Sequence, residues 1–438
     1  MTEQGGQPPH EPGEGSRPEK EAPTQPQPPT LPAWPQPGAA SAQPQPQPPA
    51  LPAWPQPGAA PAQPQPPPGW HPQHPPAPWP QSAAPPAHYA YPPGPPARKE
   101  PAIVRSGAAS GPLAPTLREM AVAPERLLLA APRGYCAGVD RAVQTVEHAL
   151  DLYGAPVYVR KEIVHNKHVV EELRERGAVF VDELDDSVPE GAVTVFSAHG
   201  VSPTVHQEAG RRGLRTLDAT CPLVTKVHRE ALKFAAEGYT IVLVGHAGHE
   251  EVEGTMGEAP DDIVLIETEE DVDRLEVPDP DRIAYISQTT LSVDETRAII
   301  NRLREKFPSI VGPRTDDICY ATTNRQAAVK QLAVQCDLVL VIGSTNSSNS
   351  NRLVEVAREY GAESHLIDHE GQVREEWLEG KRVVGITSGA SAPEELVQRL
   401  VQFFAARGTE DVQELEVVQE DVRFMLPKAI RQELTARA

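Results

Sequence analysis

The chain is expected to adopt an α/β fold built on mostly parallel sheets, and three observations predict it. From Arg126 onward, short apolar runs rich in β-branched residues alternate with amphipathic helical stretches, as when strands are joined by crossover helices. Five of those runs empty into loops of Gly, Ser, Thr, Asn, Gln and His: VTVFSAHGVS, YTIVLVGHAGHEEVEGT, RIAYISQTTLS, LVLVIGSTNSSNSNR and RVVGITSGASAPEE. Such sheets place their sites where strand carboxyl ends meet helix N-termini, whose free N–H groups favour anions. Third, Cys136, Cys221 and Cys319 each stand in a short polar loop between a strand and a helix, far apart in the chain.

In chain order, strands are expected at 126–131, 156–160, 192–197, 240–244, 263–267, 282–286, 337–342, 365–367 and 382–386, each a short apolar run bounded by polar or chain-reversing residues. Between them, the helical period places helices at 139–152, 167–176, 225–236, 294–306, 323–334, 351–360 and 393–406. Three lobes are expected, over 126–220, 221–314 and 315–407, with a tail at 408–438.

Residues 1–115 hold 37 of the 50 prolines and four of the five tryptophans. Sequence so rich in Pro and Gln and so poor in β-branched residues cannot bury enough apolar surface to form a core, and disorder is expected. LPAWPQPGAA recurs at Leu31 and Leu51, which reads as expanded low-complexity sequence. The whole chain carries a formal charge of −21, nearly all of it from the folded part. That excess argues against nucleic acid or an anionic membrane as the main partner. No apolar run is long enough for a membrane span, and no signal-like segment follows the N-terminus, so a reducing cytoplasm is expected.

In that setting thiols serve as metal ligands or catalysts more often than as disulfides. Cys136, Cys221 and Cys319, each beside chain-breaking or polar neighbours, are read as one shared metal centre, whereas Cys336 opens an apolar strand and is read as structural. His165, His199 and His249 occupy strand-exit loops, although capping or turn roles would also account for them. Gly343–Arg352 is a dense run of hydroxyl and amide groups, either a long helix cap or an anion cradle. No Walker lysine and no dinucleotide glycine motif is present, so the anion is expected to be smaller than a nucleotide. Glu251, two residues beyond His249, is either a proton-relay acid or a member of an acidic surface run.

With RGYCAGVDRAV, IVHN, SAHGVS, DATCPLV, GHEEVEGTMG, SQTTLS, DDICYATTNRQ, NSSNSNRL and SGASAP in one order, the chain resembles the 4-hydroxy-3-methylbut-2-enyl diphosphate reductases from about residue 127 to 406. The resemblance implies three similar lobes around a [4Fe–4S] cluster held by Cys136, Cys221 and Cys319, with the fourth iron left open. It implies that a diphosphate is gripped by His165, His199, His249, Ser347, Ser348, Asn349 and Ser391. Glu251 would supply protons, with Thr289 beside it, and ferredoxin or flavodoxin would supply electrons. Isopentenyl and dimethylallyl diphosphate are the products implied. Glu250 stands where the family commonly has proline, and the two terminal extensions are expected not to touch the matched motifs. An iron–sulfur hydro-lyase and a scaffold recruiting partners through the Pro-Trp segment are the competing expectations.

Overall fold

The computed structural model describes residues 123–437, and the low-complexity extension expected over 1–115 lies outside them. The chain opens with β1 (Arg126–Ala131) and α1 (Ala137–Tyr153), then β2 (Val157–Arg160), α2 (Lys167–Glu175), β3 (Ala178–Val181), β4 (Val193–Phe196), α3 (Pro203–Arg211) and β5 (Arg215–Asp218). Next come α4 (Pro222–Ala236), β6 (Thr240–Val244), α5 (Glu250–Met256), β7 (Ile263–Ile266), α6 (Glu269–Arg274), β8 (Ile283–Ser287) and α7 (Val293–Lys306). The last stretch is α8 (Tyr320–Ala333), β9 (Leu338–Ile342), α9 (Ser348–Glu359), β10 (Glu363–Ile367), α10 (Glu375–Leu378), β11 (Val383–Ser388), α11 (Glu394–Arg407), β12 (Asp411–Glu416) and α12 (Lys428–Arg437).

These strands form three sheets, ordered β3-β2-β4-β5, β7-β6-β8 and β10-β9-β11-β1-β12, and every pairing is parallel. Strands β6, β8 and β9 are apolar along almost their whole length and buried on both faces, as parallel strands covered by helices must be.

The three sheets repeat one plan. A central strand (β2, β6 or β9) is flanked on one side by an edge strand (β3, β7 or β10) and on the other by a third strand (β4, β8 or β11). Beyond the third strand comes a fourth segment: β5, an isolated parallel bridge at Val311 beside Ala284, or β1. The next polar loop after each fourth segment carries a cysteine: Cys221, Cys319 and Cys136 respectively.

The lobes are consequently not the contiguous blocks expected from sequence. Strand β1 completes the third sheet, because Leu127 and Leu129 pack with Leu338, Leu340 and Ile386, while α1 covers the first sheet beside Val157, Val159 and Val195. The expected tail at 408–438 is also folded. Strand β12 pairs with β1 along its whole length, and α12 packs on α1 through Ile430, which is fully buried. Its edge strand DVQELE is polar on both faces, so periodicity could not reveal it. Truncating that anchor as Ile430→Ala should cost roughly 2–5 kcal/mol in a denaturant unfolding curve. A loss too small to measure would show that the C-terminal helix is not part of the core.

Candidate active site

Each of the three cysteines is the residue immediately before a helix. Cys136 precedes α1 and its sulfur accepts from the Val139 amide at 3.5 Å. Cys319 precedes α8 and accepts from Thr322 N at 3.4 Å, with the Thr322 hydroxyl 3.1 Å away. Cys221 precedes α4, with Pro222 in the first helical position. Free amides and the positive end of the helix dipole favour a thiolate at such a position.

The backbone of each cysteine is tied to a different sheet. Cys136 N donates to Ala390 O at 3.1 Å, Cys221 N to Ala198 O at 2.9 Å and Cys319 N to Thr289 O at 3.0 Å. The accepting carbonyls lie in the loops leaving β11, β4 and β8, so each third strand fixes one cysteine. Ahead of Cys319, Asp317 accepts from Ser287 N at 2.9 Å and from Lys226 Nζ at 2.7 Å, pinning that loop to β8 and α4.

The three cysteines and every residue that the resemblance assigns to the site line one cavity: Cys136, Cys221, Cys319, His165, His199, His249, Glu251, Thr289, Ser347, Ser348, Asn349 and Ser391. Among the described residues, no lysine or arginine lines it. Cys336 stands apart, packed beside the core of the third sheet.

The histidines form one group. The rings of His165 and His199 stack at 4.0 Å, and His249 meets both edge-on at 5.5 and 5.8 Å. His249 Nδ1 accepts from Glu251 N at 3.1 Å, which fixes a neutral ring with its proton on Nε2; burial, then the neighbouring His199, push its pKa down to about 3. His165 is likewise held below the usual histidine range by burial and by His199. Behind the pair stand two carboxylates, Glu162 at 3.4 Å from His165 Nδ1 and Glu250 at 3.0 Å from His199 Nδ1. His165, His199 and Glu250 are also the only His/Cys/Asp/Glu group among the described residues close enough to share one ion, but parallel stacked rings do not aim their in-plane lone pairs at a common point.

On the facing loop, Ser347 caps α9 and Ser348 Oγ donates to Thr290 O at 3.2 Å. Ser391 Oγ donates to His165 O at 2.9 Å. Asn349 is buried, and neither atom of its amide has a hydrogen-bond partner among the described residues. Buried polar groups are seldom left unpaired, so this amide is a candidate ligand contact.

Glu251 is 2 % exposed; Oε1 accepts from Thr289 N at 2.6 Å and Oε2 from Thr289 Oγ1 at 3.0 Å. Burial raises its pKa to about 7 although both Thr289 bonds oppose the rise. The alternative of an acidic surface group is thereby removed. Burial likewise pushes Cys221 up to about 12 and Cys319 to about 11, with the Cys136 sulfur adding to both, so binding a metal there must displace protons.

The donor set fits an iron–sulfur cluster. The three sulfurs lie too far apart to hold a single ion, as expected when each ligates a different iron. Between them, Gly138 leaves the room required: a Cβ there would meet Cys221 Sγ at 2.7 Å and lie 3.7 Å from Cys136 Sγ.

Sequence reasoning missed three contributors. Tyr320 OH accepts from Ala137 N at 3.1 Å, joining the first and third cysteine loops. The fully buried Arg325 donates to Gly134 O at 2.7 Å and pairs with Glu420 at 3.2 Å. Phe424 lines the cavity itself. The last two contacts overturn the expectation that the C-terminal extension leaves the motifs untouched. No helical or strand periodicity announces Phe424, which stands in the short apolar run VRFMLP outside any predicted element.

Because the folded pKa of Glu251 lies above its ordinary 4.5, the fold holds this proton more tightly than the unfolded chain does. Its contribution to stability is greatest below 4.5 and is lost as the pH rises towards 7. Denaturation curves recorded across that window should show the decline, and Glu251→Gln should flatten it; an unchanged slope would mean that the carboxyl titrates normally.

A family model described as "LytB protein" matches residues 127–405. A 4-hydroxy-3-methylbut-2-enyl diphosphate reductase of Leifsonia xyli is 60 % identical over 72 % of this chain and 93 % of its own length, and one of Nocardia farcinica is 61 % identical over 70 % and 91 %. The solved E-1-hydroxy-2-methyl-but-2-enyl-4-diphosphate reductase of Plasmodium falciparum matches 72 % of this chain and 99 % of its own at 38 % identity, with a TM-score of 0.70. With its repeated parallel sheets and cysteine-lined cavity, the chain belongs to the LytB family.

Proposed function

We propose that this chain reduces (E)-4-hydroxy-3-methylbut-2-enyl diphosphate to isopentenyl and dimethylallyl diphosphate. Two electrons and two protons replace the allylic hydroxyl by hydrogen and release water. The observation that carries this reading is the single cavity in which three thiols at helix N-termini face a set of anion donors, with a buried acid of raised pKa within electrostatic reach of both Cys319 and His165.

Cys136, Cys221 and Cys319 would hold a [4Fe–4S] cluster, which when bound supplies the electrons and Lewis acidity for losing the hydroxyl. The chain's own groups do the rest. His249 presents an Nε2 proton, Asn349 an unpaired amide, and Ser347, Ser348 and Ser391 hydroxyls at the ends of strand-exit loops. Together with the N-terminus of α9 they suit a diphosphate without any lysine, since charge-assisted hydrogen bonds strengthen in an enclosed site. Anchoring the diphosphate holds the short carbon skeleton at a fixed distance from the thiols.

Glu251 holds the proton that the departing hydroxyl needs, and Thr289 keeps its carboxyl aimed by bonding both oxygens. Electrons would arrive from ferredoxin or flavodoxin. All four cysteines are free, which suits the reducing cytoplasm expected from the sequence.

Anaerobic turnover with a chemical reductant tests the reaction: two electrons consumed per C5 diphosphate formed supports it, and hydration without electron uptake would establish a hydro-lyase instead. Cys136→Ser, Cys221→Ser and Cys319→Ser should each lose visible cluster absorbance and bound iron, whereas Cys336→Ser should retain both. Full absorbance in any of the first three would remove that ligand. Glu251→Gln should keep iron and substrate binding but slow turnover by roughly 10²–10⁴-fold, the usual range for losing a positioned acid. Wild-type rates in this variant would rule out the carboxyl as proton source.

A further inference from the structure

We propose that the C-terminal segment from Arg423 to Arg437 is the docking face for an acidic one-electron carrier protein. The inference rests on the reductase reading and says where the electrons enter.

The chain as a whole carries −21, so most of its surface repels an acidic partner. From Val422 to the end of α12 the balance reverses, with Arg423, Lys428, Arg431 and Arg437 against Glu433 alone. Glu433 is itself paired with Arg215 at 2.6 Å. The four basic residues are exposed, and among the described residues none has a carboxylate within 4 Å. The basic groups nearest in sequence to the site motifs are already engaged: Arg133 with Glu394, Lys161 with Asp182 and Glu183, Lys167 with Asp368, and Lys226 with Asp317.

The fold explains why the charges face outward. Leu426, Ile430 and Leu434, spaced i, i+4 and i+8, turn inward onto the core of the first sheet. Lys428, Arg431 and Thr435 therefore share the outer face, where they line a shallow groove.

The same segment is a wall of the cofactor cavity. Phe424 lines the cavity, while the next residue, Met425, is 72 % exposed, so the wall is one chain thick at that point. Arg141 fastens it, donating to Met425 O at 2.9 Å and to Thr220 O at 3.0 Å, one residue before Cys221. An exposed methionine amid unpaired cations is the make-up of a transient docking patch, an adaptable apolar contact rimmed by steering charge. Two reduced carriers dock in turn, each is oxidised by one electron, and with two protons these complete the exchange of hydroxyl for hydrogen and water.

The test is turnover of the full chain carrying Arg423→Glu, Lys428→Glu and Arg431→Glu, driven either by a reduced acidic ferredoxin or by reduced methyl viologen, which needs no docking surface. The expected result is a KM for ferredoxin raised by about tenfold or more at low salt, with its salt dependence flattened, while the viologen-driven rate stays within about twofold of wild type. An unchanged ferredoxin KM with viologen turnover intact overturns the docking face. Absence of viologen-driven turnover in the unaltered chain would instead overturn the reductase reading. If charge reversal harms the fold, Arg423→Gln, Lys428→Gln and Arg431→Gln are judged by the same pair of assays.

Discussion

Three backbone hydrogen bonds govern this molecule. The amides of Cys136, Cys221 and Cys319 are each held by the carbonyl of a loop leaving the third strand of a different sheet. A hydrogen bond of this kind contributes only about 1 kcal/mol to stability, so its importance here is positional. Each cysteine loop runs into a helix N-terminus, and the bond restrains the residue just before that helix. Three loops so fixed bring three sulfurs to one cavity from positions almost a hundred residues apart. Tyr320, bonding the amide beside Cys136, and Asp317, bonding β8, tie the third loop, which has only a single bridge where the other two have a full strand.

The same repeated plan distributes the chemistry. Loops leaving the central strands β2, β6 and β9, with the first turns of the helices that follow, carry His165, then His249 and Glu251, then Ser347 to Asn349, while loops leaving β4, β8 and β11 carry His199, Thr289 and Ser391. Each lobe thus gives one cysteine and two polar loops to the common cavity. The sheets do not contribute alike: the first supplies stacked imidazoles, the second an acid with its hydroxyl partner, and the third neutral hydroxyl and amide donors. One end of the cavity is consequently suited to an anion, and a proton can be held beside the thiols.

Much of this was legible in the chain. Strands with buried apolar runs, such as TIVLV at β6 and LVLVI at β9, were readable because parallel packing demands hydrophobic residues on both faces. The polar loops after them were readable because Ser, Asn, His and Cys are more numerous there than turns require. What escaped was whatever packs without a strong pattern. Strand β5, RTLD, buries only Leu217, and α5 is seven residues long with a glycine inside it. Strand β12 and α12 follow no apolar run, and their role depends on partners more than 250 residues away, β1 and α1. The assignment of β1 to the first lobe failed for the same reason, since sequence adjacency says nothing about which sheet a strand completes.

Glu162 and Glu250 show how so acidic a protein can support the proposed anion site. Both lie behind histidines, bonded to the Nδ1 side. The bond to His165 holds Glu162 below the usual carboxylate range, and Glu250 is held low as well, although burial works against it and the His199 bond works for it. Each stays charged and orients an imidazole whose other nitrogen is free for a ligand. His165 is pushed toward neutrality by burial and by its stacked neighbour, and an anion arriving opposite Glu162 would reverse that balance. His165 can therefore stay uncharged until an anion binds and then gain a proton, so that positive charge is created where and when it is needed. A lysine in its place would have to be desolvated permanently, at a greater cost in a cavity this closed.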